Sequence, residues 1–280
     1  MRTWSRRSFL GMAGGGLGLA VLSACGGSSN AGKEFDLGKR FSDDSLVPGD
    51  VRMPVSLVVD GQLANDGPGR LTGRIADDKG TTVVEKVTAD KHGKGLPGAY
   101  WPFTASIASP GIYTLFVDGA TKDGMAFQVN DPSKVQIPLV GQPLPPFDTP
   151  TNADHRGVDP VCTREPPCPL HDVTLTNALK EGTPVAYLVA TPAFCQFGVC
   201  APILDLLLGV RDDIGGKVAF VHSEVYTDDT AKTVAPAVDA YHLSFEPVLF
   251  VTDAKGTLVQ RLDVMMDTDE IRAAIDKASA

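Results

Sequence analysis

The rhythm of apolar and polar positions changes character along the chain. Over residues 34–131 apolar side chains recur at every second position in short runs. Val51, Val55, Leu57 and Val59 share one parity, while Ser56 and Asp60 fall on the other. That alternation predicts a half-buried strand ending at the Asp60-Gly61 turn. Residues 70–75, 81–87, 100–107, 112–118 and 125–129 read as further strands. Asp77-Asp78-Lys79-Gly80 and Ser109-Pro110-Gly111 supply turns between them. Short strands punctuated this way predict an antiparallel β-sandwich over residues 34–131. Trp101 and Phe103 are expected in its core, and His92 in a solvated loop that Ala89-Asp90-Lys91 opens.

From residue 172 the apolar runs are continuous and alternate with helical stretches. Residues 174–179 predict a short helix, 184–190 a buried strand and 203–210 a helix. Residues 217–222 predict a second strand, 230–241 a helix, 247–253 a third strand, and 257–262 its hairpin partner after the Ala254-Lys255-Gly256 turn. Asp267, with Glu270 three residues on, caps a final helix in a pattern close to a capping box. Strand, helix, strand, helix, hairpin, helix predicts an α/β body over residues 172–280. Between the two bodies, residues 132–171 are proline-rich and aperiodic, a linker that carries Cys162-Thr163-Arg164-Glu165-Pro166-Pro167-Cys168.

The amino terminus is set apart from both. Residues 1–24 hold Arg2, Arg6 and Arg7 and no acid, and a glycine-rich, weakly apolar stretch too short for a convincing membrane span follows. Ser5-Arg6-Arg7-Ser8-Phe9-Leu10 resembles the twin-arginine export signal. Leu22-Ser23-Ala24-Cys25 resembles the lipobox of bacterial lipoproteins, which implies cleavage before Cys25 and lipidation of that residue. An ordinary cleaved signal is the alternative. Residues 25–33 then form a flexible, lipid-anchored tether. The implied location is extracytoplasmic, at a bacterial membrane.

Charge narrows the partners. The formal net charge of the chain is −9, and loss of the arginine-bearing segment makes the remainder more acidic still. An acidic body argues against nucleic acid, whose phosphates require a basic face.

Export also changes how the cysteines read. With Cys25 assigned to lipid, Cys162, Cys168, Cys195 and Cys200 remain in a disulfide-permissive setting, with three possible pairings. A local structural disulfide between Cys162 and Cys168 is the expected state, with a redox pair or metal ligation as alternatives. Cys195 and Cys200 sit where the strand at 184–190 gives way to the following helix. At such a position backbone N–H groups favour a thiolate. Residues five apart in a regular helix are roughly 8–9 Å apart and cannot be bridged, so pairing requires that part of 196–199 be non-helical. Pro202 either opens the helix after both cysteines or kinks a helix that begins at Cys195.

Two resemblances follow from these residues. Pro110-Gly111-Ile112-Tyr113-Thr114-Leu115-Phe116-Val117 resembles the late-strand entry of an immunoglobulin-like sandwich, where a tyrosine bonds back to the preceding corner. From about residue 143 the chain resembles the thioredoxin-like family. The resemblance rests on Val140-Gly141-Gln142-Pro143-Leu144-Pro145-Pro146-Phe147, on Cys195 after the first buried strand, on Ala201-Pro202-Ile203-Leu204-Asp205, and on Glu246-Pro247-Val248-Leu249-Phe250. It implies a cis bond before Pro247, Cys195 as the attacking thiolate, Cys200 as the resolving thiol, and Pro247 as the element that orients a substrate strand. Four residues separate the cysteines here, where the family has two.

The expected function is thiol–disulfide exchange on envelope proteins, with a membrane thiol reductase or oxidase as redox partner and no cofactor. Two other readings compete. One is a non-catalytic envelope module with structural disulfides. The other is a copper(I)-handling protein similar to Sco-type chaperones, with Cys195, Cys200 and His222 as ligands. Glu224 and Glu246 are read as exposed surface acids, with an acid–base role near a thiol as the alternative, and His242 as a helix-end charge.

Overall fold

The computed structural model describes residues 34–280. Cys25 and the expected export signal lie outside the described residues. Among the described residues, no helix is long and apolar enough to cross a membrane.

The amino-terminal half is a sandwich of two four-stranded antiparallel sheets. In one, β2 (Gly49–Val59) pairs with β1 (Asp36–Lys39), β3 (Gln62–Leu63) and β6 (Trp101–Ile107). The other has the order β5 (Thr82–Asp90), β4 (Arg70–Asp77), β7 (Gly111–Val117), β8 (Met125–Val129). Alternation puts Val51, Met53, Val55 and Leu57 of β2 inward, with Trp101, Phe103, Ala105 and Ile107 of β6 beside them. Tyr113, Leu115, Val117, Met125, Phe127 and Val129 close the core from the other sheet. Trp101 and Phe103 are fully buried, as their pattern predicted. The Tyr113 hydroxyl donates to the Ser109 carbonyl at 2.8 Å, tying the strand start to its corner. Gly73 is required where β4 crosses β7, because a Cβ there would lie 2.3 Å from the Phe116 carbonyl oxygen.

The carboxy-terminal half is built on a third four-stranded sheet of order β10 (Ala219–Ser223), β9 (Val185–Val189), β11 (Val248–Thr252), β12 (Leu258–Asp263). β10 runs parallel to β9, and β11 and β12 run antiparallel to their neighbours. Every residue of β9 is buried, because both faces of the sheet are covered. Ala186 and Leu188 face α2 (Cys200–Ile214) and α4 (Thr268–Ala278) through Ile203, Leu204, Leu207, Ile271 and Ile275. Val185, Tyr187 and Val189 face α1 (Leu175–Lys180) and α3 (Pro236–Ala240) through Leu175, Ala178, Ala237 and Tyr241. A period of two thus divides one apolar run between two cores.

Several elements differ from the sequence-based expectation. The helix expected over 230–241 is confined to α3. Pro236 opens it, and the preceding residues are committed to a turn in which Asp228 accepts the Thr230 N–H and Ala231 is left-handed. α2 starts three residues earlier than expected, at Cys200, with Pro202 inside its first turn, where no N–H is required of it. β5 runs on through Asp90, so the loop expected from Ala89 starts later.

The two halves meet through buried polar groups. The Arg52 guanidinium of β2 makes a two-pronged pair with Glu270 of α4, at 2.8 and 2.7 Å, and also donates to the carbonyls of Asp263 and Met265. The Tyr100 hydroxyl donates to the same Glu270 carboxylate. Asp267 caps α4 as expected, but it also binds His92 Nδ1 at 2.9 Å. His92 is therefore an inter-half contact rather than a solvated loop residue. Its imidazole is held above its ordinary pKa by the Asp267 hydrogen bond, against the opposing effect of burial. Leu96, from the same sandwich loop, packs against the core that contains α2.

Candidate active site

The run Val185–Val189 ends at Ala190, and the chain turns sharply before entering α2. Residues 196–199 are not helical. Gly198 adopts a positive φ of 65°, and its N–H donates to the Cys195 carbonyl. This satisfies the condition that the five-residue separation imposes. The turn folds Cys195 back beneath the helix start, where the Cys200 N–H donates to Cys195 Sγ at 3.3 Å.

The two thiols are free and unequal. Cys195 is partly exposed and Cys200 is fully buried. Cys195 is lowered to about 6, first by its hydrogen bond with Cys200. Burial opposes this, and the backbone N–H groups of Cys200, Val199 and Phe197 reinforce it. Cys200 is pushed up by the same hydrogen bond, by burial, and by the charges of Glu246 and the Cys195 thiolate. Both shifts favour a thiolate on the accessible sulfur and a proton on the buried one.

Glu246 completes the group, its carboxylate lying within 4.8 Å of both sulfurs. It is 8% exposed, and burial raises its pKa to about 7, with the Cys195 charge contributing and the Gln196 N–H opposing. Glu224 is buried as well, at 2% exposure. The expectation that both glutamates are surface acids is overturned: the turn at 191–199 and the cysteine loop cover them. Glu224 Oε1 accepts the Thr163 N–H at 2.7 Å and the Thr163 hydroxyl at 2.9 Å. Thr163 Oγ1 in turn accepts the Ala193 N–H at 3.1 Å, so this carboxylate fastens the cysteine loop to the active-site turn. Pro247 stands next to Glu246 at the start of β11, and the Glu246–Pro247 bond is cis.

Cys162 and Cys168 are also free, and both are buried. They lie against His171 and His222. His222 thus sits with the linker cysteines, while Glu246 is the third group beside Cys195 and Cys200. Sequence reasoning missed His171, and it named Glu246 as an acid–base group near a thiol only as the alternative to an exposed surface acid. The Cys162, Cys168, His171 spacing was a local signal that could have drawn attention to the histidine. Nothing local marks Glu246, whose burial is tertiary.

Comparison with protein-family models gives no match, and comparison with curated proteins finds no similar sequence.

Proposed function

We propose that the chain is a membrane-anchored, extracytoplasmic protein with a thioredoxin-like carboxy-terminal domain, and that Cys195 and Cys200 perform thiol–disulfide exchange on envelope proteins. One observation carries this reading: an accessible and a buried cysteine in contact beneath one helix N-terminus, with a buried carboxylate within 4.8 Å of both sulfurs and an environment that favours the thiolate on Cys195. The fold assignment draws support from the sheet order β10-β9-β11-β12, the helices on both faces, and Pro247 at the entry to β11. An immunoglobulin-like reading of the sandwich draws support from the Tyr113–Ser109 hydrogen bond. The anchor rests on Arg6-Arg7 and Cys25 in the sequence.

In the reductive direction, the Cys195 thiolate attacks one sulfur of a substrate disulfide. The substrate S–S bond breaks, a Cys195–substrate disulfide forms, and the departing substrate thiolate takes up a proton. Cys200 then gives its proton to Glu246, whose raised pKa suits it to accept one near neutrality. The Cys200 thiolate attacks Cys195, forming the intramolecular disulfide and releasing the second substrate thiol. Two electrons pass to the substrate, and a membrane dithiol partner restores the pair. Phe197, exposed on the loop between the cysteines, offers the substrate an apolar contact.

Alkylation of the reduced chain with iodoacetamide tests the premise. The rate at Cys195 is expected to rise to half its plateau near pH 6, whereas a free cysteine does so near 8.5. A midpoint at or above 8 removes the reading's basis.

A further inference from the structure

We propose that Cys162, Cys168, His171 and His222 form a buried tetrahedral zinc(II) site, separate from the Cys195–Cys200 pair. All four side chains are 4% exposed or less. Their candidate ligand atoms lie within 4.8 Å of one another. His171 Nε2 is 3.1 Å from His222 Nδ1 and 3.3 Å from Cys168 Sγ. His222 Nδ1 is 3.5 Å from Cys168 Sγ and 4.0 Å from Cys162 Sγ. Zinc bonds of about 2.0–2.1 Å to nitrogen and about 2.3 Å to sulfur imply tetrahedral edges of roughly 3.3 Å between two nitrogens and roughly 3.6 Å between nitrogen and sulfur. The three nitrogen–sulfur separations bracket their edge, and the nitrogen–nitrogen separation of 3.1 Å lies just inside its own.

The surroundings orient the ligands. His222 Nε2 lies 3.1 Å from the Ala190 carbonyl oxygen, an arrangement that places the ring proton on Nε2 and leaves the Nδ1 lone pair facing the sulfurs. The Cys168 N–H donates to Cys162 Sγ, supporting negative charge there. β10 holds His222 opposite Leu188 of β9, and the His222 N–H donates to the Leu170 carbonyl, next to His171. Residues 162–171 are thus drawn over the end of the sheet at the place where His222 emerges.

Charge selects the metal. Two thiolates and two neutral imidazoles around zinc(II) give a neutral centre. Around copper(I) they leave a net negative charge, which is costly to bury, and the neighbouring cation Arg164 is already paired with Asp205. Four protein ligands with no open position mark a structural rather than a catalytic site. The site does not depend on the exchange reading, because it shares no ligand with it.

Metal analysis of the purified full-length chain and titration of its reduced, metal-free form with zinc(II) test the inference. One zinc per chain is expected, unchanged in Cys195→Ser. Cys168→Ser and His222→Gln are expected to lower zinc affinity by more than the roughly 10–100-fold that loss of an outer-shell partner costs. Should those variants fail to fold, cobalt(II) bound to the wild-type chain reads the ligands directly, with tetrahedral ligand-field bands and sulfur-to-metal charge transfer expected. A Cys162–Cys168 disulfide in the chain as isolated, binding of copper(I) but not zinc, or an octahedral cobalt spectrum without thiolate bands would each overturn the proposal.

Discussion

Replacing Cys195 with serine is expected to lower the rate of exchange with a disulfide substrate by roughly three orders of magnitude or more, to the uncatalysed level, with the fold unchanged. The side chain is partly exposed in a turn, so the substitution leaves no core cavity, and the hydroxyl can still accept the Cys200 N–H. What is lost is a sulfur nucleophile that is mostly ionised at neutral pH. Cys200→Ser is expected to behave differently. Its first step survives, its second cannot occur, and the variant accumulates as a mixed disulfide with its substrate. Mass spectrometry of the trapped species reads this outcome. Two equally inactive variants with no adduct would argue that the pair is structural.

Arg52→Ala is expected to destabilise the chain by about 3–5 kcal/mol, lowering Tm by roughly 6–20 °C, without altering the cysteine chemistry. The guanidinium and its Glu270 partner are 12% and 15% exposed, so removing Arg52 leaves Glu270 a nearly buried charge without its ion-pair partner, held by the Tyr100 hydroxyl. Two backbone carbonyls, of Asp263 and Met265, lose a donor at the same time. Pairing the change with Glu270→Ala separates the causes. The double variant is expected to be more stable than the sum of the single losses implies, by at least about 1 kcal/mol, because neither charge is then left alone. Additive losses in thermal or urea unfolding would show that the ion pair contributes little and that packing holds the halves together.

The sequence carried the elements whose cause is local and missed those whose cause is tertiary. β9 and β11 were legible because a strand covered on both faces is apolar throughout, and β6 because one-sided burial produces alternation; β2 keeps its apolar parity although Pro54 and Ser56 are buried as well. β1, with the sequence Asp-Leu-Gly-Lys, was not legible, since an edge strand held by main-chain pairing to β2 needs no apolar rhythm. The helix expected at 230–241 is shorter because Asp228 and Pro236 dictate a turn first. At the site, the position of Cys195 and Cys200 between a buried strand and a helix was readable, and so was the need for a non-helical stretch between them. The convergence of Cys162 and Cys168 with His222 was not readable, because 54–60 residues separate them and the meeting depends on which strand lies beside β9. The burial of Glu246 was unreadable for the same reason, since an acid before a strand-entry proline looks exposed until the turn that carries Cys195 is folded over it.

The most direct test of the central claim, that Cys195 and Cys200 are a reversible redox pair, is a redox titration of the full chain in glutathione buffers with mass mapping of all four cysteines. The expected result is a Cys195–Cys200 disulfide that forms and breaks at a potential above about −300 mV, the level below which structural disulfides typically lie. A Cys195–Cys200 bond that resists reduction at that level, or the absence of that linkage at every potential, would contradict it.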